Sequence, residues 1–179
     1  MIPFETERLH VRNWRDGDLD AYATLMADPT VMRLFPRLLD RIEAARRLAQ
    51  YRRWGVEKGE TFAPAFLKTT GAMVGFAGLL PVTDPRLPNY GGVELGWTLD
   101  PAHWGHGYAT ELARAWVARA LQRRQRVVAY TSVPNVESQA VARRAGFTRC
   151  GSFGHPNVPK DMDIHVHILW DARRGEWNG

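Results

Sequence analysis

Apolar residues along the chain change their spacing several times, between the two-residue period of a strand and the three-to-four-residue period of a helix. Leu9-His-Val-Arg12 alternates like a short strand. Asp16 and Asp18 then offer N-caps to a helix through Leu19, Tyr22, Leu25 and Met26, stopped by Asp28-Pro29. A second helical region covers about 40–54, with Ile42, Ala45, Leu48, Ala49 and Trp54 roughly on one face and Arg41, Arg46, Arg47, Arg52 and Arg53 elsewhere. Gly55 and Gly59 are expected to end it. From Thr61 short apolar runs alternate with turn residues, and Phe62 to Lys68, Thr69-Thr70-Gly71 and Met73 to Pro81 predict a hairpin. After the proline-rich loop Asp84-Pro-Arg-Leu-Pro-Asn89, Gly92 to Leu99 predicts a third central strand that ends at Asp100-Pro101. A helix over about 110–123 carries Leu112, Ala115, Trp116, Ala120 and Leu121, and Val127 to Val133 returns to strand. Another helix, about 138–145, stops at Gly146, the residue type that best tolerates a left-handed C-cap. Phe147 to Phe153 and Ile164 to Trp170 predict the last two strands. Hairpins first, then a strand-helix-strand unit, then a helix and a closing hairpin describe an α/β sandwich on a mixed sheet rather than a doubly wound fold.

Composition narrows the class. The 179 residues, 45% apolar and 24% charged, suit one domain over 1–179 whose core needs no disulfide or metal staple. A lone Cys150 excludes an internal disulfide and a multi-cysteine zinc site, and fits a reducing compartment. The longest uncharged apolar stretch, Ala72 to Val82, falls short of the roughly 20 residues that cross a bilayer. Met1-Ile-Pro-Phe-Glu-Thr-Glu-Arg8 has acids where a signal peptide carries its basic end. The expectation is a cytoplasmic protein without a membrane partner. A net charge of +5 and a pI near 9.8 point to an anionic partner, for which nucleic acid, a membrane surface and a phosphorylated small molecule all qualify. Charge alone does not choose among them.

The sharpest local feature is Asp100-Pro-Ala-His-Trp-Gly-His-Gly-Tyr-Ala-Thr-Glu111, which leaves a strand and opens a helix. Gly105 and Gly107 permit backbone conformations closed to other residues, so successive N–H groups can converge on phosphate oxygens, and the helix N-terminus adds roughly half a unit of positive charge. Small Ala109 would let a ligand approach the backbone. The loop is not a P-loop, because no Gly-Lys-Ser/Thr follows the glycines. Nor is it a dinucleotide fingerprint: Thr110 stands where a third Gly or Ala belongs, and the next strand, Val127 to Val133, holds no acid. The plainer reading is a tight strand-to-helix turn with Thr110 as a capping residue.

Trp104-Gly-His-Gly-Tyr-Ala-Thr-Glu111 resembles the acetyl-CoA loop of GNAT-type N-acetyltransferases, in particular their RimJ/RimL-like branch, whose loops often read Trp-Gly-x-Gly-Tyr-Ala-Thr-Glu. Against the broader GNAT loop Gln/Arg-x-x-Gly-x-Gly/Ala, Gly107 and Ala109 match while Trp104 takes the Gln/Arg position. That departure is common in the branch and touches only a side-chain contact to phosphate. Thr6-Glu-Arg-Leu-His-Val-Arg12 resembles the branch's opening strand, Val93-Glu-Leu-Gly-Trp97 its fourth strand, and Asn135-x-x-Ser138 with Ala145-Gly-Phe147 its late helix. The four matches run in order from about residue 5 to 170. The resemblance implies the GNAT acyl-CoA N-acyltransferase fold, a mixed, mostly antiparallel sheet of about six to seven strands flanked by about four helices.

It also implies an acetyl-CoA-dependent N-acetyltransferase acting by direct attack of an amine in a ternary complex, with no metal. Trp104, Gly105, His106, Gly107, Tyr108, Ala109 and Thr110 would hold the pyrophosphate. The edge from Leu95 to Leu99 would pair with the pantetheine arm, and N–H groups at Trp97 or Thr98 would polarise the thioester carbonyl. Glu94 stands where related enzymes often carry a general base, directly or through water. Deprotonation at pH 7 costs about 4.6 kcal/mol for Lys and about 1 kcal/mol for an α-amine, so an α-amine demands little of that base. Ser138 is the matched candidate for protonating the departing thiolate, with Tyr130 an outside one. Asn135 would touch the pantetheine or cap its helix, and Arg143 and Arg144 would meet the 3′-phosphate and adenine end. Plainer readings stand beside these: Glu94 paired with an arginine, Ser138 a helix-start hydroxyl, Arg143 and Arg144 solvated surface.

The acceptor is open between a protein N-terminal α-amine, such as a ribosomal protein's, and a small amine such as an antibiotic, polyamine or amino acid. Regions 16–54, 82–91 and 154–162 would face it, the proline-rich loop being either a flap or a long connection, with Trp54 and Trp97 shaping the cleft. Trp116 and Trp170 read as core. His103-x-x-His106 and His165-x-His167 lack an obvious third metal ligand, and Cys150 has no neighbouring His or Asp in sequence to activate it as an acetyl carrier. A nucleic-acid module and a CoA-binding sensor without catalysis are the competing classes; the arginines are scattered and no nucleic-acid motif accompanies them. The branch commonly dimerises, but no interface is readable in the chain.

Overall fold

In the computed structural model, which describes residues 2–179, an unpredicted β1 (Phe4–Glu5) precedes β2 (Leu9–Val11), the strand that the alternating Leu9–Arg12 segment predicts. A tight turn joins them, with Thr6 N–H donating to Leu9 O at 2.9 Å and Leu9 N–H to Thr6 Oγ1 at 3.0 Å. After a 3₁₀ turn at Asp16–Asp18 comes α1 (Leu19–Ala27). Asp18 does not cap α1 through its carboxylate, which turns back to Arg15 N–H and to the Arg12 guanidinium, each at 2.7 Å. Asp28 stops α1 and also starts α2 (Pro29–Met32), accepting from Thr30 N–H ahead of a proline at the first helical position. α3 (Arg41–Lys58) begins at a capping box made by Asp40 and Glu43 and outlasts its predicted end: Gly55 lies inside it, and Gly59 terminates it at φ 67°. β3 (Phe62–Leu67), β4 (Met73–Pro81) and β5 (Val93–Leu99) follow as predicted. α4 (Tyr108–Leu121), β6 (Arg126–Ser132), α5 (Val136–Arg144), β7 (Thr148–Gly154) and β8 (Val166–Arg173) complete the chain. The eight strands of one mixed sheet and five α-helices exceed the expected six to seven and four. Two-residue β1 and four-residue α2 are too short to leave an apolar period.

Packing divides the chain into two units. The first holds residues up to Gly78 together with Trp97–Ala109. Its strands run β1-β2-β3-β4, every pair antiparallel, with Leu9 opposite Leu67 and Phe62 opposite Gly78. An aromatic cluster fills its core: Tyr22 meets Trp14 at 5.3 Å and Phe76 at 5.4 Å between ring centroids, and Phe62 meets Tyr51 and Phe76 at 5.3 and 5.5 Å. Gly75, at φ +139°, lets β4 press against the end of β5; a Cβ there would stand 2.3 Å from Thr98 O. Asp100 N–H continues that contact by donating to Val74 O at 3.0 Å.

The second unit holds Leu79–Gly96 and Thr110–Gly179. Its strands run β5-β6-β8-β7. β6 and β8 pair antiparallel from Arg126 opposite Arg173 to Ser132 opposite His167, whereas the parallel ladder of β5 with β6 is the single pair Glu94 and Val128. Strand alternation sorts this part of the sheet into two faces. Val127, Ala129 and Thr131 share one with Trp170, whose Nε1–H donates to Thr131 Oγ1 at 2.8 Å and over which α5 lays Arg143. Trp116 and Trp170 are core, as expected. The opposite face carries Glu94, Tyr130, Ser132, His167 and Phe153. Cys150 is exposed on β7, with its Sγ 3.9 Å from Asp171 Oδ2. Among the described residues no helix is long and apolar enough to cross a membrane.

Candidate active site

The glycine loop is assembled by its neighbours in the first unit. Where β5 ends, Asp100 accepts from Ala102 N–H at 2.8 Å and starts a 3₁₀ turn over Pro101–His103. Trp104 then donates its indole N–H to Leu99 O at 2.8 Å, while Arg33 lies 5.2 Å from its ring centroid. The tryptophan in the Gln/Arg position is thus a brace between loop and strand. Gly105 and Gly107 have φ of +78° and +82°, and His106 between them has the ordinary negative sign. Alternation of sign along three residues is the backbone pattern that makes successive N–H groups converge on an anion. Tyr108 begins α4 immediately after, so the helix's unpaired N–H groups extend the same donor set. Nothing lies within 4 Å of a Cβ built on Gly105, so backbone conformation, not crowding, requires the glycine. The loop from Trp104 to Gly107 is exposed, and Tyr108 and Ala109 are partly so.

Sequence reasoning missed the residue that grips this loop. Arg8 Nη1–H donates to His106 O at 2.9 Å, and the guanidinium lies 4.6 Å from the Tyr108 ring centroid. His106 and Tyr108 stack at 5.6 Å. The only sequence signal was the Thr6-x-Arg8-Leu9 motif, with no hint of what it touches.

On β5, the Leu95 side chain is core, 2% exposed, leaving only its backbone for a ligand; Trp97 and Thr98 are half-buried. Glu94, in the second unit, is half-buried and has no hydrogen-bond or ion-pair partner among the described residues, so its predicted alternative, pairing with an arginine, is not realised. Burial pushes its carboxyl up from 4.5 to about 7. Tyr130 shares its face. Burial, and then the Glu94 charge, push the phenol above its ordinary value, and its hydroxyl donates to Pro88 O.

Around α5 the arrangement is mainly structural. Asn135 caps the helix, its Oδ1 accepting Ser138 N–H at 3.0 Å. Ser138 is half-buried, and among the described residues its hydroxyl has no hydrogen-bond partner. Arg144 is exposed, yet its Nε–H donates to Thr110 Oγ1 at 3.3 Å and its carbonyl accepts from Arg114 Nε at 3.0 Å. Thr110 is therefore not the cap of α4 but a buried acceptor within its first turn. Arg143 is exposed over Trp170.

Beside Glu94 and Tyr130 stands an aromatic and imidazole cluster that the sequence did not assemble. Phe153 meets Tyr130 at 5.2 Å, and His155 meets His167 at 4.7 Å. Burial, and then His167, lower His155 to about 4, and burial lowers His167 as well, so both rings are neutral near pH 7. His155 Nδ1 accepts Asn157 N–H at 3.2 Å, whereas His165 and His167 turn Nδ1 to the carbonyls of Val158 and His165. Among the described residues no group of three or more His, Cys, Asp or Glu is placed to hold a metal. The 82–91 loop is tied down at several points: Tyr130 holds Pro88, Asn89 Nδ2–H donates to Val93 O at 3.2 Å, and Arg86 bridges Asp84 and Asn157.

A family model described as "Acetyltransferase (GNAT) domain" matches residues 8–148. The chain is similar to the uncharacterized N-acetyltransferase YnaD of Bacillus subtilis (strain 168), 23% identical over 175 residues that span 97% of this chain and 98% of YnaD. Its fold is that of the ribosomal-protein-S5-alanine acetyltransferase of Vibrio fischeri, with a TM-score of 0.74, 19% identity and all of both chains covered. The spermidine N-acetyltransferase of Vibrio cholerae, solved with CoA and spermine, also shares it, with a TM-score of 0.75, 14% identity, and 94% of this chain and 97% of that one covered.

Proposed function

The chain belongs to the GNAT acetyltransferase family and is an acetyltransferase using acetyl-CoA; we propose that it acts as one domain and transfers the acetyl group by direct attack of a peptide N-terminal α-amine in a ternary complex. The observation that carries this reading is the loop Gly105-His106-Gly107, whose alternating φ and position at the start of α4 suit a pyrophosphate. Acetyl-CoA supplies an acyl carbon activated as a thioester. The backbone N–H groups from Gly105 to Thr110 would hold its pyrophosphate, and those of Trp97 and Thr98 would stabilise the oxyanion. The single-pair ladder of β5 with β6 supports the reading that the Leu95–Leu99 edge accepts the pantetheine arm. Arg143 and Arg144 remain candidates for its 3′-phosphate, Arg144 already fixed by Thr110.

Glu94 is the general base. It has no hydrogen-bond or ion-pair partner among the described residues, and a carboxyl near 7 is matched to work at neutral pH. For a base near 7, the amine's own pKa separates the acceptors. Proton transfer to it from an α-ammonium of pKa 7.7–8.0 is uphill by about 1 kcal/mol, against about 4.6 kcal/mol from a Lys ammonium. The reading is therefore an α-amine, and a small amine of high pKa, such as the substrate named for the spermidine enzyme, is the alternative. The Ser138 hydroxyl, without a hydrogen bond among the described residues, is the proposed donor to the departing thiolate, and Asn135 positions it as the cap of α5.

The test is a screen of peptides with free N-termini and of small amines, at fixed acetyl-CoA, read by thiol release. Peptides are expected to turn over. Turnover only of small amines would move the acceptor class, slow hydrolysis without transfer would favour a CoA-binding sensor, and failure to bind acetyl-CoA would overturn the reading.

A further inference from the structure

We propose that Arg8 is a positioning residue of the glycine loop: it holds the His106 carbonyl so that the N–H of Gly107, the other end of the same peptide, is presented to the pyrophosphate. The inference rests on the reading of this loop as the acetyl-CoA site. It also accounts for the Thr6-x-Arg8-Leu9 motif, which the catalytic scheme leaves unused.

The motif builds a support for one side chain. Thr6 closes the β1–β2 turn through Thr6 N–H to Leu9 O at 2.9 Å and Leu9 N–H to Thr6 Oγ1 at 3.0 Å. Leu9 is fully buried, and Arg8 O accepts Lys68 N–H from the β3 end at 3.0 Å. The backbone of Arg8 is therefore pinned on both sides. Its side chain crosses to a loop 98 residues further along the chain, donating from Nη1 to His106 O at 2.9 Å. The guanidinium also lies 4.6 Å from the Tyr108 ring centroid, and Nη2 is 3.5 Å from where a Cβ on Gly107 would sit.

In a planar trans peptide the C=O and N–H point in opposite directions, so fixing His106 O on the Arg8 side fixes Gly107 N–H on the other. The need for such a clamp comes from the glycines themselves. Gly107 follows this peptide, and glycine has the largest backbone freedom to lose, so the peptide is free to turn over unless held. Turned over, it would aim a carbonyl oxygen at the anion in place of a donor.

Two variants and two measurements decide. In the chain without ligand, ¹⁵N order parameters of Gly105, His106 and Gly107 should fall from near 0.85 to below about 0.6 in Arg8→Ala, with the β3–β4 hairpin unaltered. By calorimetry, the Kd for CoA should rise about tenfold in Arg8→Ala, as loss of one charge-assisted hydrogen bond implies. Arg8→Lys, which keeps charge and a donor but has no plane to lie on Tyr108, should fall between. An unaltered loop order parameter in Arg8→Ala overturns the inference, as does a Kd within twofold of that of an unaltered chain that binds CoA. Loosening of the β3–β4 hairpin as well would make Arg8 a fold-stabilising residue and overturn it too. If the unaltered chain binds no CoA, the proposed function fails, and the order parameters alone decide whether Arg8 orders the loop.

Discussion

The Tyr130 hydroxyl donates its proton to the carbonyl oxygen of Pro88, tying the middle of β6 to the proline-rich loop before β5. A phenol committed to that carbonyl is badly placed to deliver its proton elsewhere, and burial beside Glu94 raises it further. Tyr130→Phe should therefore lower acetyl transfer by less than about tenfold, against the hundredfold or more expected for loss of a general acid. Stability should fall by about 1 kcal/mol, a drop in Tm of about 2–4 °C in a thermal melt.

Glu94→Gln should reduce turnover by about a hundredfold or more and remove the rise of rate with pH through about 7, measured as a kcat/KM profile. Stability moves the other way. The folded carboxyl lies above its ordinary 4.5, so the native state holds its proton longer than the unfolded one, and stability falls as pH rises from 4.5 through about 7. The Gln variant lacks that slope, and its Tm should exceed that of the native chain above pH 7.

Gly107→Ala tests the cradle by conformation alone. At φ +82° an alanine is strained by about 1–2 kcal/mol, while its Cβ would meet Arg8 Nη2 only at an ordinary 3.5 Å. Calorimetry should show CoA binding weakened about tenfold or more, with the loop forced toward another conformation.

Arg12 and Asp18 hold the entry to α1. Arg12 grips the carboxylate with two bonds of 2.7 Å, and Asp18 is only 8% exposed. Burial raises the Asp18 carboxyl, but the Arg12 bonds and Arg15 N–H outweigh it and leave it below its ordinary 3.8. Arg12→Ala strands a buried charge and should cost about 3 kcal/mol at pH 7 by urea unfolding. That contribution is present above pH 3.8 and is lost as pH falls through the lower folded value, so the gap between variant and native chain should narrow in acid.

Much of the fold was legible because its signals are local. The β3–β4 hairpin, β5, and the helices after Asp40 and Asn135 follow from apolar period, caps and turn residues within a few positions of one another. Where length fell below one period, as in β1 and α2, or where Gly55 is carried through the interior of α3, the local signal misled. The site divides in the same way. The glycine loop could be read because φ of +78° and +82° is a demand on residues 105 and 107 themselves.

The sequence by itself determined a glycine-bearing strand-to-helix turn, a carboxylate on β5 and cap chemistry at Asn135 and Ser138. It did not determine what those groups meet. Tertiary structure placed Arg8 on His106 across 98 residues and Tyr130 on Pro88 across 42, and it left Glu94 without a hydrogen-bond or ion-pair partner among the described residues. Which arginines are paired was likewise decided only in space, where Arg41, Arg52 and Arg37 meet Asp20, Asp16 and Glu43 at the surface. Backbone conformation is set by nearest neighbours and leaves its mark in adjacent residues. A side-chain partner, or the burial that raises a carboxyl to about 7, is set by everything that packs around it.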